Sequence, residues 1–66
     1  MSRNDIGERL KALRGDKTQK EVADALDLTV GAISQYENGL RIPSDAIKMR
    51  IARYYGVSVQ EIFFEP

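Results

Sequence analysis

The sequence predicts an all-α fold, a compact bundle of five short helices. Three observations carry this expectation. Apolar residues recur at three- and four-residue spacing, and strand-type alternation is nowhere sustained. Helix-starting hydroxyl residues precede the apolar runs, at Thr18, Thr29, Ser44 and Ser58. Glycine stands near the expected helix ends, at Gly15, Gly39 and Gly56, where the left-handed conformation costs it nothing.

The first helix is expected over residues 5–14. Ile6, Leu10 and Leu13 fall on one face, and Gly7 weakens the helix slightly. The second starts after Thr18, with Glu21 placed three residues on to complete a capping box. Val22, Ala23 and Leu26 form its buried face. The third starts after Thr29 and ends near Asn38, with Ile33 and Tyr36 inward. The fourth follows Ser44 and lines up Ile47, Ile51 and Tyr55. The fifth opens on a second capping box, Ser58 to Glu61, and buries Val59, Ile62 and Phe63.

Bulk properties narrow the function. The chain of 66 residues makes one domain, with no repeat, low-complexity run or linker. It has no Cys and no His, so no disulfide, no thiolate metal site and no imidazole base is available. The spaced acids Glu21, Asp24 and Asp27 read as solvated face and caps. Neither an enzyme, a metal, a cofactor nor a small-molecule ligand is expected. No segment reaches the ~20 apolar residues of a membrane span, and the opening MSRNDIGERL lacks a signal-peptide run. A cytoplasmic location is the expectation. Ten basic residues balance ten acidic ones, which argues mildly against a nucleic-acid partner. Arg3, Arg9, Lys11, Arg14, Lys17 and Lys20 crowd the first twenty residues, however, and a local basic face can meet phosphate.

The run TQKEVADALDLTVGAISQYENG, followed by Pro43-Ser44 and YYGVSVQEIF, closely resembles the Xre/Cro/phage-repressor-type helix-turn-helix family. The likeness covers residues 6–63. It implies a lambda-repressor-like five-helix bundle whose helices 2 and 3, about residues 19–38, form the helix-turn-helix. Helix 3 then enters the major groove while helix 2 crosses the DNA backbone.

By resemblance, Gln19 bonds phosphate and braces the first base-reading residue. Lys17, Thr18 and Lys20 surround it at the positive end of helix 2. The reading positions are Thr29, Val30, Gly31, Ala32, Ser34 and Gln35. Val30, Gly31 and Ala32 bring no side-chain donor, so this helix reads sequence softly, with Gln35 able to pair with adenine. Asn38 either caps helix 3 or meets phosphate, and Arg41 is either a phosphate contact or a solvated charge. Arg14 and Glu37 match a pair that bridges helices 1 and 3. Tyr54 and Tyr55 read as packing residues rather than stacking platforms. Three departures stand out: a short link at Gly15-Asp16-Lys17, Asp27 where glycine is common, and Lys48 where leucine is common.

Phe63 and Phe64 cannot share one helix face. In the family resembled, the end of helix 5 and the loop after helix 3 lie near the dimer axis, which implies Phe64 and Leu40 at a two-fold dimer contact. The resulting expectation is a homodimeric, sequence-specific regulator of transcription on double-stranded DNA, acting as a repressor. The alternative is a protein-binding module of the antitoxin or anti-repressor type, using the same fold to grip a partner protein.

Overall fold

Thr18, Thr29, Ser44 and Ser58 each start a helix in the structure, a computed structural model that describes residues 3–64. The described residues form α1 (Arg3–Arg14), α2 (Gln19–Leu26), α3 (Val30–Glu37), α4 (Asp45–Tyr55) and α5 (Val59–Phe63), with no strand among them. The expected start of α1 at residue 5 moves back to Arg3.

Each capping hydroxyl accepts from the amide three residues on. Thr18 Oγ1 accepts from Glu21 at 3.0 Å, Thr29 Oγ1 from Ala32 at 3.0 Å and Ser58 Oγ from Glu61 at 3.1 Å. The capping boxes are only half made. Among the described residues the only recorded bonds of Glu21 and Glu61 at these caps use their backbone amides, and both side chains are exposed. Their carboxylates act at these ends through charge, opposite the positive end of the helix dipole.

Three helices end the same way. Leu28 donates to Ala23, Leu40 to Gln35 and Val57 to Ala52, each bond reaching back five residues. The residue before each donor is left-handed: Asp27, Gly39 and Gly56, with φ of 57°, 73° and 72°. This is the Schellman arrangement, and two of its three special positions carry the residue that adopts it without strain.

The core is built from one face of every helix. Ile6 and Leu10 meet Val22, Ala23 and Leu26, then Ile33 and Tyr36, Ile51 and Ala52, and Ile62 and Phe63. α3 packs on α1 and α2, while α5 closes against α1 and α4. Leu13, Ile47, Tyr55 and Val59 lie half-buried at its margin. The adjacent phenyl rings divide as helix geometry requires: Phe63 is 3% exposed and Phe64 61%.

Lys48 fits where an apolar residue was the family pattern. Its side chain is largely covered, and its ammonium stands 5.5 Å from the Phe63 ring and 5.1 Å from the Phe64 ring. The aliphatic stem serves as core while the charge meets two aromatic faces.

Gly7 does more than weaken α1. A β-carbon there would overlap the backbone of Glu37, lying 2.8 Å from its carbonyl carbon. Glycine thus lets α1 cross the end of α3 backbone against backbone.

Candidate nucleic-acid interface

α2 and α3 are joined by the left-handed Asp27 and by Leu28, ahead of the extended Thr29 cap. Leu28 is half-buried against the core and its amide bonds Ala23. Arg50, from α4, donates to the Leu26 carbonyl and caps the end of α2. The turn is held from both sides, so the start of α3 has little freedom relative to α2.

α3 is anchored on one face and open on the other. Ile33, Tyr36 and Glu37 are buried, while Gly31, Gln35 and Asn38 are exposed. Val30 is exposed too, and Ala32 and Ser34 are half-buried at the border. The outward residues therefore follow helical spacing along one stripe. Ser34 and Asn38 are linked, with Asn38 Nδ2 donating to Ser34 Oγ at 3.2 Å. Asn38 also ends the helix, its amide bonding the Ser34 carbonyl. A β-carbon at Gly31 would meet only the Thr29 hydroxyl at 3.8 Å, so the fold leaves open space there.

The N-terminal end of α2 meets the C-terminal end of α3 through a charged cluster. Arg14 Nε donates to Glu37 Oε2 at 2.7 Å, and Arg14 Nη2 to Glu37 Oε1 at 3.1 Å. Arg14 Nη1 also donates to the Lys17 carbonyl at 2.8 Å. One guanidinium thus ties α1, the loop before α2 and the end of α3. The hydrogen bond to Glu37 raises the Arg14 pKa further above its ordinary value. Gln19 Nε2 joins the cluster, donating to Glu37 Oε1 at 3.1 Å. Tyr55 stands beside it, and burial, then the Glu37 charge, pushes its phenol up to about 12.

The cations separate into different roles. Arg9 donates to the Glu61 carbonyl at 2.6 Å and fastens α1 to α5. Lys11 pairs with Glu8 on its own helix. Arg9 and Arg14 are thus engaged within the fold, and the Arg3 side chain lies outside the described residues. Residues close in sequence on a helix point in different directions. What remains near the start of α2 is Lys17 and Lys20. Lys17 reaches Tyr54, 3.4 Å from its hydroxyl and 5.2 Å from its ring centre. Lys20 pairs with Asp24 one turn on, an exposed contact of small energetic worth. At the far end of α3, the Arg41 guanidinium lies 5.8 Å from the centre of the Tyr36 ring. Thr18 and Thr29 are exposed but engaged as caps.

Leu40 and Phe64 are both exposed, Leu40 at 70%. Among the described residues no helix is long and apolar enough to cross a membrane, and no acidic cluster is arranged to hold a metal ion.

Residues 9–62 match the model of a protein family described as Helix-turn-helix. Among solved structures the chain is similar to the clp gene regulator ClgR from C. glutamicum, at 29% identity and a TM-score of 0.77. That likeness spans 91% of this chain and 80% of the other. No curated protein matches.

Proposed function

The chain belongs to the helix-turn-helix family, of the Xre/Cro/phage-repressor type, as a non-enzymatic DNA-binding regulator, and we propose that it reads double-stranded DNA through the major groove with α3. The observation that carries this reading is the division of α3. One face is locked into the core by Ile33, Tyr36 and Glu37, and the other offers Gly31, Gln35 and Asn38 to a partner surface. A recognition helix needs both properties: a fixed pose and an open stripe.

In this reading Gln35 is the base reader with the best chemistry, since its amide matches the adenine edge. Thr29, Val30, Gly31, Ala32 and Ser34 complete the contact, with apolar groups available to thymine methyls. Lys17, Thr18, Gln19, Lys20, Asn38 and Arg41 meet the phosphate backbone, which positions the helix without reading sequence. The protein acts in the cytoplasm as a repressor by covering its site. It works as a two-fold dimer through Leu40 and Phe64, because one half-site of this soft helix gives little discrimination.

Binding to a duplex selected from a random pool tests the reading. Gln35→Ala should lose about 1–3 kcal/mol on the selected duplex and little on unrelated DNA. Affinity should also fall with salt, each neutralised phosphate adding about −0.9 to the log–log slope. Equal losses on both duplexes remove Gln35 from base reading.

A second reading rests on the exposed apolar side chains of Val30, Leu40, Met49 and Phe64. Such residues suit a protein partner as well as a second copy. Retention on DNA that is indifferent to salt would favour that protein-binding module over the DNA reader.

A further inference from the structure

Glu37 is 4% exposed and keeps three hydrogen-bond donors on its two oxygens. Arg14 supplies two of them and neutralises the charge. The third comes from Gln19, the first residue of α2, across a sequence distance of 18 residues. An ionised carboxylate accepts hydrogen bonds and donates none. A glutamine side chain held against it must therefore turn its NH2 group inward. The opposite orientation sets a carbonyl oxygen against a carboxylate oxygen and is repelled.

We propose that Glu37 is the positioning residue for Gln19. The buried carboxylate decides which way the Gln19 amide faces, and so which groups Gln19 presents to DNA. The inference rests on the DNA-binding reading above. With one N–H committed to Glu37, Gln19 retains one N–H donor and one carbonyl acceptor. A phosphate oxygen takes only donors, so Gln19 makes a single phosphate bond of fixed direction. Its carbonyl is left for a donor on the recognition side. The side chain is also ordered before DNA arrives, which removes an ordering cost from binding. Arg14 belongs to the same device. Its two hydrogen bonds fix the carboxylate in place, and its bond to the Lys17 carbonyl steadies the loop that leads into Gln19.

The side-chain amide resonances of the free, unaltered chain are the first readout. Gln35 and Gln60 are exposed and serve as internal references. The Gln19 NH2 should be more rigid and slower to exchange with solvent than either. On adding a duplex selected from a random pool, its Glu37 bond should persist while the second Gln19 proton shifts. Glu37→Gln offers Gln19 both a donor and an acceptor, so the Gln19 amide should become mobile. DNA affinity should then fall by about three- to tenfold, the scale of ordering one such side chain. Gln19→Ala should lose a similar factor, and the double variant should lose no more than either. A mobile Gln19 amide in the unaltered chain overturns the proposal, as do additive losses in the double variant. If Glu37→Gln does not fold, the amide measurements on the unaltered chain with and without DNA decide alone. A chain that binds no duplex at any salt concentration sinks the DNA-binding reading. A chain that binds with a freely rotating Gln19 sinks only the role of Glu37.

Discussion

The α-carbon of Gly7 faces the Glu37 carbonyl so closely that a β-carbon at Gly7 would lie 2.8 Å from the Glu37 carbonyl carbon. α1 crosses the end of α3 at this point, and the residue crossed is the one whose carboxylate gathers Arg14 and Gln19. Helix propensity alone favours Gly7→Ala, by about 0.5–1 kcal/mol. The overlap is with backbone and cannot be relieved by turning a side chain, so sterics win. Gly7→Ala should destabilise the fold by about 1–3 kcal/mol, the range for overpacking a filled interior. Urea unfolding measures it. A variant as stable as the parent would mean that α1 shifts at little cost.

Asp27 tests the reverse case. It is the only described non-glycine residue with positive φ, and it sits where Gly39 and Gly56 sit in the other two helix ends. An L-residue in this conformation carries strain that glycine lacks. Asp27→Gly should raise stability by about 0.5–1 kcal/mol, part of the relief being offset by the greater freedom of glycine when unfolded. For a domain of this size that is a rise of several degrees in Tm, on the order of 4–8 °C per kcal/mol. A lower Tm would show that the Asp27 side chain contributes more than its backbone costs.

These two positions show where the sequence was legible. Helix starts follow from local chemistry, since the hydroxyls of Thr18, Thr29, Ser44 and Ser58 bond amides three residues away. The outward stripe of α3 follows from periodicity in the same way. Gly7 reads from sequence as a slightly poor helix residue, because the carbonyl it accommodates lies thirty positions on. The bond from Gln19 to Glu37 is hidden for the same reason: its partners meet only after α2 folds back on α3. The crowd of early cations does not reveal its partners, because nearness in sequence does not set direction on a helix. Arg9 turns to α5 and Arg14 to α3. A glycine inside a helical pattern was the one available signal, because it costs the helix stability unless packing or function requires it.

Tyr55 makes alkaline stability predictable in direction. Its phenol is pushed up to about 12, first by burial and then by the charge of Glu37. An unfolded tyrosine titrates near 10. The folded state therefore holds the proton more tightly. That contribution is complete below pH ~10 and disappears as pH rises through about 12. The group is only half-buried, so the effect is smaller than full burial gives. Tyr55→Phe should remove this part of the alkaline decline while leaving the curve near neutrality almost unchanged. An identical decline in both proteins would assign it to other groups, the lysines first.

Gly31 separates fold from function most directly. It lies in the first turn of α3 with ordinary helical geometry, and the space a β-carbon would fill is open. Nothing in the fold requires glycine there, and its presence costs the helix stability relative to alanine. Gly31→Ala should therefore stabilise the free protein by about 0.5–1 kcal/mol. If α3 lies in the major groove as proposed, its first turn approaches the duplex most closely, and the added methyl occupies room that the base edges or sugar–phosphate chain would take. The same substitution should then weaken binding to a selected duplex while Tm rises. Measuring both on one preparation distinguishes the outcomes. Raised Tm with unchanged affinity would keep the backbone at Gly31 away from the DNA and leave Gln35 and the phosphate contacts to carry recognition. Raised Tm with lower affinity would identify Gly31 as a point where stability is given up for close approach to the duplex.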